Sequence, residues 1–367
     1  MFRVGNPVTG KDFYDRTKMI GETKALIKAH QNFMIKAPRR YGKTSLIKEV
    51  MLELKTDYLY IDLRRTPRLN IVIEQIMNYA YSQAGVIGFM KGIKDNAMAF
   101  IRNSKHSIKI DIEVLEYSVE FFLAKKEPFE CFNEALNTLE KIGDSLHQKF
   151  IVVFDEFQDI NRLNYDDVDL LEVLRGTIQH HKSTTFIFLG SVEHLMTQIF
   201  ENKASPFYNF CRKFKLEPFD IKELSRQLEK TFQKIGVGFE ARSDLETTLH
   251  KLGGHPANTM LTMQKLLLRV EKEKIVLIRG KELNEAYESA FEESLDLIEQ
   301  YIIEINKKKH YHDVIYRLAN KENQILTASA LHQVLSGLSD LGYVFNIGWG
   351  EYIIVDGFLK KYLQTFE

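Results

Sequence analysis

The chain has 367 residues, more than one small core can use, so two or three folding units of roughly 100–200 residues are expected. Hydrophobic residues at 44% and charged residues at 27% exclude a disordered chain. Fifty Lys+Arg balance fifty Asp+Glu, so no global field attracts a polyanion and any nucleic-acid contact must be local. Cys131 and Cys211 stand apart without a CxxC or Cys/His cluster, which argues against a disulfide framework or zinc site and fits a reducing cytoplasm. No run of about 18 apolar residues and no apolar leader occurs, so neither a membrane span nor a signal peptide is expected, and the predicted location is cytoplasmic.

Residues 32–36 form a short apolar run that stops at Pro38, and residues 45–54 carry apolar side chains at helical spacing, so strand, loop and helix are predicted. A second strand at 58–63, with Asp62 near its end, completes a βαβ unit and favours a parallel sheet. Residues 71–84 and 129–142 have helical patterns. Between them 107–122, with the alternating Ile108-Lys109-Ile110-Asp111-Ile112, reads as part of an insertion around 70–143. The apolar runs at 150–154 and 184–189 have the pattern of buried central strands, with a helix at 168–179 between them and a last edge strand at 213–216. The predicted α/β core is residues 1–219. Beyond Pro218 the strand signals stop. Residues 221–235, 244–252 and 257–272 read as helices around a turn at Gly253-Gly254-His255-Pro256, which makes 220–290 a helical lid. Helices from 295 to about 307, at 312–319 and at 329–341, then a hairpin at 343–355 turning at Gly348-Trp349-Gly350, predict a winged helix over 291–367.

The segment Ala37-Pro38-Arg39-Arg40-Tyr41-Gly42-Lys43-Thr44 satisfies the phosphate-loop pattern G-x-x-x-x-G-K-[ST] except at its first glycine. Gly42 lets successive N–H groups turn inward, Lys43 neutralises the β- and γ-phosphates, and Thr44 offers a hydroxyl to Mg²⁺. The helix opening at Ser45 points its positive end at the anion. Ala37 is tolerable if that position needs no positive φ. A GKT tripeptide alone arises by chance at helix starts, but here an apolar strand ending in Asp155-Glu156 answers it. Together they predict an ATP-binding, ATP-hydrolysing site, with Mg²⁺ held by Thr44 and Asp155 and water activated by Glu156 as general base. Ser191, just past the strand at 184–189, is either a γ-phosphate sensor or a turn residue after Gly190.

These motifs, with Phe13-Tyr14-Asp15-Arg16, Leu189-Gly190-Ser191, Ser205-Pro206-Phe207-Tyr208 and Leu216-Glu217-Pro218-Phe219, resemble the archaeal-type ATPase family, in the STAND branch of AAA+-like P-loop NTPases. The resemblance spans nearly the whole chain and implies an α/β ATPase core, a helical lid and a C-terminal winged helix. It also implies that the segment before the first helix covers the adenine, so Pro7, Val8 and Phe13 to Arg16 become candidate contacts, and that His255 and Pro256 approach the phosphates or ribose. Read alone, Phe13 is a core anchor, Arg16 a surface ion pair and His255-Pro256 a helix start. Similar proteins place a Gly-Arg pair where this chain has Asn209-Phe210, which leaves Arg212 and Arg175 as candidates for a trans-acting arginine or for plain surface salt bridges.

Two uses of ATP fit. Hydrolysis drives or gates action on a macromolecular partner, protein or DNA, or ATP is a switch ligand with little turnover; a nucleotide-dependent homo-oligomer is one form of partner. A small-molecule kinase fits less well, because Glu156 beside Asp155 favours water as acceptor. The predicted helix at 329–341 has no Lys or Arg and is a poor reader of phosphates, so the best local cationic run is Lys307-Lys308-Lys309-His310.

Overall fold

A computed structural model describes residues 2–66, 68–92, 127–163, 168–348 and 350–366. The strand-like stretch at 108–112 and the hairpin-tip residue Trp349 lie outside the described residues. After helix α1 (Thr17–Lys28), strands β1 (Phe33–Lys36), β2 (Leu59–Asp62), β3 (Phe150–Asp155), β4 (Thr184–Gly190) and β5 (Arg212–Lys215) form one sheet in the order β2-β3-β4-β1-β5. Every pairing in it is parallel. The connecting helices are α2 (Lys43–Leu54), α3 (Leu69–Gly92), α4 (Pro128–Leu146), α5 (Leu170–Ile178) and α6 (Glu193–Glu201). β3 and β4 are buried along their whole length, which is why they read as unbroken apolar runs rather than alternating ones. Phe188 of β4 packs against Phe154, Phe157, Phe200 and Phe207, an aromatic core under the ends of the central strands.

Helices α7 (Ile221–Gln233), α8 (Arg242–Lys251), α9 (Pro256–Glu273) and α10 (Gly280–Glu293) follow. Strand structure does not stop at Pro218 as expected: β6 (Gly238–Phe239) and β7 (Leu277–Ile278) pair in parallel. Two residues each are too few to show any alternation. α10 also runs across the expected lid boundary at 290. Then come α11 (Leu295–Asn306), α12 (Tyr311–Asn320), α13 (Ala328–Asp340), the antiparallel hairpin β8 (Val344–Gly348) and β9 (Glu351–Ile354), and α14 (Gly357–Thr365). A single apolar cluster runs from Phe2 and Tyr14 through α7–α10 to α14, so these segments share one core.

The C-terminal residues lie directly against the predicted phosphate loop. Gly342 turns there with φ 82°, and a β-carbon added to it would sit 3.3 Å from Pro38 Cβ. Phe345 and Val355 join the apolar cluster of Ile35, Ala37, Tyr41 and Leu46, and Lys215 Nζ lies 3.6 Å from the Phe345 ring centroid. His194 Nδ1 on α6 meets Asp340 Oδ2 on α13 at 3.4 Å.

Candidate active site

Because β1, β3 and β4 are parallel and in register, their C-terminal ends deliver residues 37–44, Asp155-Glu156 and Ser191 to one edge of the sheet. Helix α2 starts at Lys43, two residues earlier than the sequence pattern places it. Gly42, the residue before it, has φ 84°, a left-handed conformation that glycine adopts without strain. Ala37 is not among the positive-φ residues, which accounts for alanine at the position of the first glycine; Arg40, at φ 64°, is.

Lys43 is buried, and its ammonium donates to the carbonyls of Ala37 (2.8 Å) and Pro38 (3.1 Å). Beside it Thr44 Oγ1 donates to Asp155 Oδ2 at 2.7 Å, and the Tyr60 hydroxyl donates to the same oxygen. Burial and the neighbouring Asp155 charge push the Tyr60 pKa up, so Tyr60 stays a proton donor at neutral pH. A hydroxyl and a carboxylate in contact are the oxygen donors that a hard cation such as Mg²⁺ selects, so Thr44 and Asp155 fit the predicted metal role.

Glu156 has φ 54°. Its Oε2 accepts hydrogen bonds from Ser191 Oγ and from Gln158 Nε2 (2.6 Å), and pairs with Arg64 Nη2 at 3.2 Å. Arg64 also bonds Asp159 through Nε at 3.2 Å. Burial alone would raise the Glu156 pKa. The bonds from Ser191 and Gln158 and the charges of Lys43 and Arg64 outweigh it and hold the carboxyl below its ordinary value. The Glu156 carboxylate is therefore ionised at neutral pH, with its Oε2 engaged by three side chains.

The remaining predicted residues surround the loop without converging on Lys43. Arg16 is buried, not a surface ion pair; it donates to the Glu217, Pro218 and Tyr41 carbonyls and stacks 4.8 Å over Phe219. Burial pulls its pKa down to about 10, which leaves it charged at neutral pH. Val8 N donates to Ser45 Oγ at 3.1 Å, which ties the N-terminal segment to the start of α2. His255 caps α9, accepting from Asn258 N through Nδ1 at 3.3 Å, with Pro256 as the next residue, and its ring meets Tyr41 edge-on at 5.1 Å. Asn258 in turn donates to Asp356, which caps α14, so the loop, α9 and the C-terminal residues meet at this point. Arg39 and Arg40 are exposed. Arg212 opens β5 at the opposite edge of the sheet, and Arg175 stacks 4.4 Å over Phe210, so neither reaches Lys43 of its own chain.

Tyr60, Arg64 and Gln158 were given no role by sequence reasoning. Gln158 lies two residues past Glu156, just beyond the Asp155-Glu156 element. For Arg64 no local signal exists, since only the β2–β3 pairing, Asp62 aligned with Asp155, brings it to the site.

No curated protein matches the sequence. Among solved structures, the Walker-type ATPase PABY2304 of Pyrococcus abyssi is similar over 99% of both chains, with a TM-score of 0.70 and 17% identity. The ORC2 protein of Aeropyrum pernix in its ADPNP–ADP complexes is similar over 96% of this chain and 94% of that one, with a TM-score of 0.53 and 13% identity. At such identities these likenesses concern the fold. The sequence model of the family described as an ATPase domain predominantly from Archaea matches residues 13–261, which include the phosphate loop, Asp155-Glu156 and Ser191, and the chain therefore belongs to this family and is an ATPase.

Proposed function

We propose that the chain is a gated ATPase, in which hydrolysis is held back at rest by the network on Glu156 and released by a macromolecular partner. The observation that carries this reading is the triple engagement of Glu156 by Ser191, Gln158 and Arg64. In the working site, Lys43 leaves the Ala37 and Pro38 carbonyls for the β- and γ-phosphates, and the N–H groups after Gly42 cradle them. Mg²⁺, held by Thr44 and Asp155, would supply charge stabilisation to the phosphates. Glu156 takes a proton from water as its oxygen bonds to the γ-phosphorus, the bond to the β–γ bridging oxygen breaks, and ADP and inorganic phosphate leave. Ser191, now bonded to Glu156, would turn to the γ-phosphate and so couple its presence to release of the base.

The order of three helices and a hairpin in 291–367 supports a winged helix. Its α13 packs on α6 through Asp340 and His194, and Gly342 lies on Pro38, which favours a gating role for this unit over reading a DNA groove. Arg16, His255 and Pro256 are proposed to form the frame that senses nucleotide, and Arg39 and Arg40 to answer phosphate.

Steady-state turnover with and without partner tests the gate. Arg64→Ala should raise basal kcat severalfold, while Glu156→Gln should lower it by about 10²–10⁴ with ATP still bound. An Arg64→Ala chain no faster than the parent would remove the gate, and a parent chain that binds ATP without turnover would leave only the switch reading.

A further inference from the structure

The parallel register that gathers the active site also gathers the opposite ends of β1, β3, β4 and β5 along a second edge. Residues 55–58, with exposed Lys55 and Asp57, enter β2 at one end of this edge, and the four segments beside it are residues 28–32, 147–149, 179–183 and 208–213. These four contain Lys28, Lys149, Lys182, Arg212 and Lys213, interspersed with His, Gln and Asn, and no Asp or Glu, in a chain whose Lys+Arg and Asp+Glu are equal in number. All five cations are exposed, and among the described residues none has a carboxylate within 4.0 Å. Elsewhere pairing is common, as in Lys24 with Glu53, Lys36 with Glu201 and Arg242 with Glu229.

Two main-chain bonds and one from a lysine side chain hold the segments side by side. Arg212 N donates to Asn32 O (3.1 Å), Phe150 N to Ser183 O (2.8 Å), and Lys149 Nζ to Lys182 O (3.1 Å). Two acids bond to these segments through main-chain and hydroxyl donors and not through the cations: Glu140 accepts from the N–H groups of Lys182 and Ser183, and Asp144 from the Ser183 hydroxyl. With strands about 4.8 Å apart, β3 to β5 spread the cations over roughly 14 Å. Helix C-termini also collect at this edge and favour cations, which accounts for Lys28 at the end of α1. Lys149, Lys182, Arg212 and Lys213 lie outside helices, so the dipole does not explain them.

We propose that this edge binds the phosphodiester backbone of a DNA duplex without reading its sequence. The inference gives the proposed macromolecular partner a chemistry and rests on that function only for its coupling to hydrolysis. Spaced cations interleaved with amide and imidazole donors match a row of phosphates. An anionic lipid surface is matched less well, because among the described residues few large apolar or aromatic side chains are exposed there, Leu52, Leu146 and Tyr208.

Fluorescence anisotropy of the full chain with a short labelled DNA duplex, without nucleotide, tests this. Five phosphate contacts predict a slope of log affinity against log salt of about −4 to −5, a loss of a few hundred-fold between about 50 and about 200 mM. Lys149→Glu with Lys182→Glu should weaken binding more than tenfold and flatten the slope by about 2, and the pair Lys149→Gln with Lys182→Gln should do the same to a lesser degree. Each variant should keep the parent's ATP affinity and thermal melt, and Lys43→Ala should keep the duplex affinity, so failure of the ATPase reading is separable from failure of this one. The proposal is overturned if the parent binds no duplex, if both double variants bind as the parent does, or if phosphatidylserine vesicles are bound and the duplex is not.

Discussion

The two edges of the central sheet hold similar charged groups in opposite states. At the C-terminal edge Lys43 is buried on backbone carbonyls, Asp155 accepts from Thr44 and Tyr60, and Glu156 is held by three side chains. At the N-terminal edge Lys149, Lys182, Arg212 and Lys213 are exposed, with no carboxylate among the described residues within 4.0 Å. The contrast teaches what solvent does to a charge. Buried and paired, a charge acts strongly over a few ångströms, as bond-making chemistry needs; exposed and unpaired, it acts weakly but reaches a partner before contact. A parallel sheet separates the two because each strand has one end in each environment.

The comparison can be broken most directly by damaging what both edges share. Phe188→Ala removes the ring that packs on Phe154, Phe157, Phe200 and Phe207, and should cost about 3–5 kcal/mol in chemical denaturation. ATP binding and duplex binding should fail together as the fold is lost. If the fold survives with one function intact, the edges are mechanically independent.

Lys43→Ala should act on one edge only. Loss of charged hydrogen bonds worth about 1.5–3 kcal/mol predicts ATP binding weakened by roughly 10–100-fold, read with a fluorescent ATP analogue. Duplex affinity should not move. An equal loss at both edges would show that the variant had perturbed the sheet rather than the site.

The smallest expected effect is a pH dependence where the loop, α9 and the C-terminal residues meet. Burial pushes the His255 pKa below its ordinary 6.5, against an opposing push from Asp356, and Arg40 lowers it further. The unfolded chain then takes up this proton first, so stability should fall as pH drops below about 6.5. His255→Asn keeps a capping side chain without the titration, and its melting temperature should decline less than the parent's between pH 7 and pH 5. Parallel declines would assign the acid sensitivity elsewhere, to His181 for example, whose pKa burial also lowers.

Much of the active edge was legible because its signals are local. Gly42-Lys43-Thr44 needs one loop and one helix start, and Asp155-Glu156 announces itself as two acids closing an apolar strand. Ser191 was readable as a position, but its bond to Glu156 depends on β3 lying beside β4. Arg64 was not legible at all, because its partners Glu156 and Asp159 are far along the chain. Helix α6 was not predicted, although α5, also nine residues long, was; β6 and β7 were not because two residues carry no period.

The sequence by itself determined that the chain is a P-loop ATPase, since phosphate-binding backbone geometry and the buried parallel strand have short-range requirements that a few consecutive residues meet. Only the tertiary structure decided how those groups rest, with Lys43 on its own loop, Glu156 engaged, and Pro38 against Gly342. It alone brought Lys149, Lys182 and Arg212 to one edge. In a chain without net charge no local count reveals such an edge, because the order of strands, and not the order of residues, sets which charges are neighbours.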